Sequence, residues 1–84
     1  MNELALKKAK AISANIRKIR EHRDYTQDYL AAKLNISQNA YSKIELGYSK
    51  VTLERLFVIS YVLEVNPADL ISMETDELIR CGNF

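Results

Sequence analysis

Two side chains in this sequence are capable of covalent chemistry, His22 and Cys81, and each is the only one of its kind. A nucleophile needs a base within reach and a third group to orient that base, and neither residue is accompanied by such a group or by an oxyanion signature. One histidine and one cysteine also do not make a zinc ligand set, and a lone cysteine closes no internal disulfide. Gly47 and Gly82 stand apart, so no glycine-rich loop is present to cradle a phosphate. The expectation is a protein that is not an enzyme, with no metal, no cofactor and no small-molecule ligand. What remains is hydrogen bonding and charge. Gln38, Asn39, Ser42 and Lys43 crowd two amides, a hydroxyl and an ammonium into one short segment.

The charge is unevenly placed. Residues 1–50 hold ten Lys/Arg against five Asp/Glu, a net +5, whereas residues 51–84 hold two against six, a net −4. A basic front half suggests a surface for a polyanion, although a sequence pI near 7.8 is low for a nucleic-acid binder. At 84 residues the chain is sized for one domain burying about 60 to 65% of its unfolded surface, too little for a large catalytic cleft. Residues 1–12 carry Glu3, Lys7, Lys8 and Lys10 where a secretory signal needs an apolar stretch, and no run approaches the roughly 18 apolar residues of a membrane span. These features lead to the expectation of a cytoplasmic, nucleoid-associated protein with no membrane partner.

Helices must position the polar cluster. Ala5, Ala9, Ile12, Ile16 and Ile19 recur at helical spacing, predicting a long first helix over residues 3–23 with Asn2 as cap. Asp24 offers turn chemistry. Thr26 can cap a short second helix carrying Leu30, Ala31 and Leu34, and Asn35 tolerates the left-handed conformation that would end it. Ser37 caps a third helix whose apolar side is Tyr41 and Ile44, ending near Glu45 or Leu46, and Gly47 stops it. After a loop over residues 47–51, Thr52 caps a fourth helix with Leu53, Leu56, Phe57, Ser60 and Leu63 expected toward the core. Asn66-Pro67 opens a fifth, since proline at the first helical position gives up no needed hydrogen bond.

Cap, short helix, tight turn, cap and second short helix over residues 26–45 make a helix-turn-helix candidate, with Ala31 small enough for the two helices to cross closely. The ordered blocks Ile16-Arg17-Lys18-Ile19-Arg20-Glu21, Thr26-Gln27-Asp28-Tyr29-Leu30-Ala31, Leu34-Asn35-Ile36-Ser37, Tyr41-Ser42-Lys43-Ile44-Glu45-Leu46-Gly47 and Asn66-Pro67-Ala68-Asp69-Leu70 resemble the phage-repressor/Cro-like (XRE) helix-turn-helix family. The resemblance covers about residues 12–71. It implies an all-α, five-helix, lambda-repressor-like domain, here with residues 1–11 extending the first helix and residues 72–84 as a short tail, a possible dimerisation element. It further implies sequence-specific binding of double-stranded DNA by a transcriptional regulator whose third helix, about residues 37–45, reads the major groove.

On that resemblance Gln38 and Asn39 become base readers, because their amides can pair with adenine N6/N7, and Lys43 and Ser42 join them one turn on. Gln27 matches the family's phosphate-gripping glutamine, and Ser37, Tyr48, Ser49, Lys50 and Arg17 are further phosphate contacts by position, with Arg23 and Lys33 available nearby. Arg20 and Glu45 match a structural ion pair between the first helix and the end of the third. The sequence departs from the family pattern at Asn35, where a turn glycine is usual, and at Val51, where a loop proline is usual. Commonly polar outer positions of the fourth helix are Val58 and Tyr61, with Val62 adjoining. A second subunit or the chain's own tail, whose Ile71, Met73, Leu78, Ile79 and Phe84 are apolar, should cover that face, and the expectation is a homodimer in which tail and fourth helix both take part. The alternative function on the same fold is a protein-interaction module or an antitoxin-like partner binder.

Overall fold

The computed structural model describes residues 3–72, which form five helices and no strand: α1 (Glu3–His22), α2 (Gln27–Leu34), α3 (Gln38–Glu45), α4 (Leu53–Leu63) and α5 (Pro67–Ser72). The expected Asn2 cap and the tail from Met73 onward lie outside the described residues. Among the described residues no helix is long and apolar enough to cross a membrane, and no cluster of His, Cys, Asp and Glu could hold a metal.

Local chemistry sets the helix ends. The hydroxyls of Thr26, Ser37 and Thr52 accept the backbone N–H of Tyr29, Ala40 and Arg55 at 3.0, 3.1 and 3.1 Å, each satisfying a donor that the first turn leaves orphaned. Asn66 Oδ1 does the same for Ala68 N–H at 2.9 Å, just before α5. At the other ends, Asn35 (φ 57°) and Gly47 (φ 78°) take left-handed conformations, as does Asp24 (φ 59°) after α1. Glu64 (φ 58°) ends α4 in the same conformation, although glutamate has no intrinsic preference for it. Arg23 supports that end: its Nε donates to the Leu63 carbonyl at 3.0 Å and its Nη2 lies 3.8 Å from the Glu64 carboxylate. A cation there complements the negative end of the helix dipole.

The core consists of Ile16 and Ile19 of α1, Leu30 and Ala31 of α2, Tyr41 and Ile44 of α3, Leu56, Ile59 and Leu63 of α4, and Leu70 of α5. Burying each large aliphatic side chain contributes about 1.5 to 3 kcal/mol before entropy is counted. Asn15 Nδ2 donates to the Leu70 carbonyl at 3.1 Å and ties α1 to α5 through a buried polar contact.

One sequence expectation is corrected. Leu53 and Phe57, expected toward the core, are 70% and 56% exposed, while Ile59 is fully buried. The helix is turned so that Leu56, Ile59, Ser60 and Leu63 form its inner stripe. Buried Ser60 is satisfied within its own helix, its hydroxyl donating to the Leu56 carbonyl at 2.8 Å. On α1, Ala5 and Ala9 share the apolar period of Ile16 but are exposed. A 20-residue helix is about 30 Å long, longer than the short helices packed against its C-terminal half, so its first turns extend past the core.

Candidate nucleic-acid interface

The turn between α2 and α3 is built from backbone geometry. Asn35 N–H reaches back to the Ala32 carbonyl at 3.1 Å and Ile36 N–H to the Ala31 carbonyl at 3.0 Å, closing α2 with a left-handed residue. Ala31, 1% exposed, allows the helices to approach, and Ser37 then starts α3 at once.

The two sides of α3 differ sharply. Tyr41, Ile44 and Glu45 are buried, whereas Gln38, Asn39 and Lys43 are exposed and Ser42 is half-buried. Gln38 and Ser42, like Asn39 and Lys43, are four residues apart and therefore share a face. Beyond α3 the chain folds back, with Gly47 N–H bonded to the Ile44 carbonyl at 3.1 Å and Tyr48 N–H to the Lys43 carbonyl at 2.9 Å. That return sets Tyr48, 76% exposed, and exposed Lys50 directly after the amide-bearing helix, with Ser49 half-buried between them.

Behind this surface lies a buried polar network. Arg20 Nε and Nη2 donate to the two carboxylate oxygens of Glu45 at 2.7 and 3.1 Å, a bidentate pair joining α1 to the end of α3. Arg20 Nη1 also donates to the Tyr25 carbonyl at 2.8 Å, the Tyr41 hydroxyl donates to Glu45, and Gln27 Nε2 donates to Glu45 Oε1 at 3.1 Å. Burial pushes the Glu45 carboxyl up, but hydrogen bonds from Arg20, Tyr41 and Gln27 outweigh it and hold the group below its ordinary value. The bond to Glu45 raises Arg20, and burial followed by the bond to Glu45 raises Tyr41 well above the usual phenol range. The carboxylate is thus ionised, the guanidinium charged and the phenol neutral, leaving no buried side-chain polar atom unpartnered among the described residues.

The remaining sequence candidates fall elsewhere. Half-buried Gln27 donates one amide N–H to Glu45, which leaves its second N–H and its carbonyl oxygen with capacity to spare. Ser37 uses its hydroxyl oxygen as the α3 cap. Arg17 lies on the exposed side of α1, 3.6 Å from Glu21 one turn on. Arg23 is engaged at the end of α4 and Lys33 lies over the Tyr29 ring at 5.3 Å, so both serve intramolecular contacts. On α4, Tyr61 is 84% exposed, Val58 is half-buried, and Val62 packs against the core. Sequence reasoning missed Gln27 as a neighbour of Glu45 and Asn15 as a tie to α5; a polar residue on the apolar face of α1 is the signal that could have found Asn15, whereas Gln27, at the start of α2, gave none.

Residues 16–70 match the helix-turn-helix family model, a span that includes both helices of the motif and the whole core. The chain belongs to the XRE-type helix-turn-helix family. It is also 34% identical over 67 residues to YqaE of Bacillus subtilis (strain 168), an uncharacterized HTH-type transcriptional regulator; the alignment covers 80% of this chain and 58% of that relative. The chain therefore corresponds to little more than half the length of the curated relative it matches. No solved structure gives a significant match. In this chain the Arg20–Glu45 network lies behind the motif, and Gln38 and Asn39 lie on its exposed side.

Proposed function

We propose that this chain binds double-stranded DNA sequence-specifically as a transcriptional regulator, with α3 in the major groove. The observation that carries the reading is the division of α3: Tyr41, Ile44 and Glu45 hold the helix in place, while Gln38, Asn39, Ser42 and Lys43 are released from structural duty. Gln38 and Asn39 then read base edges through paired donor and acceptor, and Lys43 donates to guanine or phosphate. Lys50, Tyr48, Ser49, Ser37, Arg17 and the remaining amide N–H of Gln27 face the backbone, where cations, hydroxyls and N–H groups set register without carrying sequence. The likeness to a Bacillus transcriptional regulator supports the same reading.

One such domain makes few base contacts, so the active species is a homodimer on an inverted repeat with half-site centres about 34 Å apart. The exposed apolar pair Phe57 and Tyr61 on α4, four residues apart, supports this, with Val58 and Val62 beside it. Selection of bound sequences from a random duplex pool tests the function: a recovered inverted repeat is expected. Retention of no sequence over the starting pool, with no mobility shift on random duplex at low salt, would reject it in favour of a protein-binding role.

A further inference from the structure

An apolar groove of about 490 Å³ lies where the overhanging first turns of α1 meet the 47–51 loop, the start of α4 and the end of α5. Leu6, Ile12, Val51, Leu53, Leu56 and Ile71 line it. Leu6, Leu53 and Ile71 are 48%, 70% and 50% exposed, a large apolar concentration for a domain of this size to leave open. On its loop side Gly47 sits close to α1, where an added Cβ would come within 3.2 Å of Lys10 Cγ. Lys10 and Lys50 also line it and bring positive charge to an otherwise apolar site.

We propose that residues 73–84 of the same chain are the occupant of this groove. Three features select them. The segment begins two residues after Ile71, which itself lines the groove, and twelve residues reach up to about 40 Å when extended, more than enough to cross it. Its Met73, Leu78, Ile79 and Phe84 supply apolar side chains, and Glu74, Asp76 and Glu77 against Arg80 make it net acidic, complementary to Lys10 and Lys50. A tether this short gives an effective concentration on the order of millimolar, so the chain's own segment outcompetes a second copy at ordinary protein concentrations.

Docking has a consequence for DNA, which rests on the function proposed above. Lys50 is a phosphate anchor in that reading, and the acidic segment presents carboxylates to the same ammonium. Segment and DNA backbone then compete for the 48–50 loop, and the tail weakens binding to specific and random duplex alike, because the base contacts of Gln38 and Asn39 are untouched.

Cys81 is the one cysteine in the chain, so a nitroxide placed on it marks the segment at a single point in the intact protein. The amide signals of Leu6, Ala9, Leu53 and Ile71 are expected to lose most of their intensity, while those of Tyr29 and Lys33 on α2 keep theirs. Even attenuation over the whole domain would overturn the proposal. So would groove-specific attenuation in a mixture of nitroxide-bearing chain and isotope-labelled, nitroxide-free chain, which would make a second copy the occupant. The double variant Leu78→Ser with Ile79→Ser, carrying the same nitroxide, is expected to abolish the effect and to raise affinity for random duplex severalfold at low salt. Loss of the effect with unchanged duplex affinity would overturn the competition. If the unmodified chain and this variant both fail to bind any duplex, the DNA reading falls, and the attenuation pattern still decides the docking.

Discussion

Along α3, Tyr41, Ile44 and Glu45 are locked into the core and a hydrogen-bonded ion-pair network, while Gln38, Asn39 and Lys43 are exposed. The α4 helix makes the contrast differently: its inner stripe is Leu56, Ile59, Ser60 and Leu63, and its outer one, Leu53, Phe57 and Tyr61, is as apolar as many cores. A polar face without intramolecular partners is free to carry recognition chemistry. An apolar one is stable in water only at a cost, and so points to a covering partner. The difference separates the two proposed interfaces of this domain, one for nucleic acid and one for protein.

The largest expected effect comes from breaking the inner face of α3. Glu45→Ala leaves the guanidinium of Arg20, a buried residue, and the hydroxyl of Tyr41 without their partner, and removing one member of a buried pair costs about 3 to 5 kcal/mol. Denaturant unfolding should show the midpoint falling steeply; a shift within about 1 kcal/mol would mean that the network is solvent-relaxed. Ile59→Ala, on the inner stripe of α4, should cost about 2 to 5 kcal/mol, whereas Phe57→Ala on the outer side should leave monomer stability nearly unchanged. Equal losses would erase the distinction between the faces.

Next in size is the outer face of α3. Gln38→Ala and Asn39→Ala should each weaken binding at a selected site by about 1 to 3 kcal/mol, with stability unchanged within about 0.5 kcal/mol. Titrations on selected and random duplex separate the two contributions, and equal losses on both would assign these amides to the backbone. Replacing Phe57 and Tyr61 together by Lys should give a folded monomer with reduced operator affinity, read by light scattering and thermal unfolding; a monomer mass for the unmodified chain would remove α4 from the dimer proposal.

A pH titration sharpens the same comparison. Because Glu45 is held below its ordinary value of 4.5 in the folded state, its contribution to stability is fully present above about pH 4.5 and is lost as pH falls through the lower folded value. Glu45→Gln should flatten that part of the acid limb, and an unchanged limb would place the titration elsewhere. The smallest effect is expected at Lys50. Lys50→Ala should weaken binding to all duplexes alike and lower the salt dependence by about one unit, and an unaltered slope would return this residue to plain solvated surface.

Much of the fold was legible along the chain because its determinants are local. Thr26, Ser37 and Thr52 cap within three residues of themselves, Asn35 and Gly47 take left-handed backbone where their own side chains permit it, and Ile16, Ile19, Leu30, Tyr41 and Ile44 repeat with the helical period. The polar front of α3 was equally readable, since a residue four positions from another on a helix shares its face whatever the rest of the chain does.

Other features depend on partners distant in sequence. Whether Leu53 or Ile59 turns inward on α4 could not follow from periodicity, because that helix is apolar nearly all round and several rotations satisfy its pattern equally well. Packing against the other helices chose the rotation, which keeps Tyr61 outside as expected and joins it there with Leu53 and Phe57, while Val62 packs against the core. The left-handed end of α4 at Glu64 depends on Arg23, 41 residues earlier, and the orientation of Gln27 depends on Glu45, 18 residues later. The groove beside α1 belongs to the same class, since it exists only where a 20-residue helix outruns the core that the other four can build. Sequence by itself determined where helices start, stop and present polar side chains, because those choices are made within one turn. Tertiary structure alone decided which apolar faces are spent on the core and which are left over, because that depends on contacts between segments far apart in the chain.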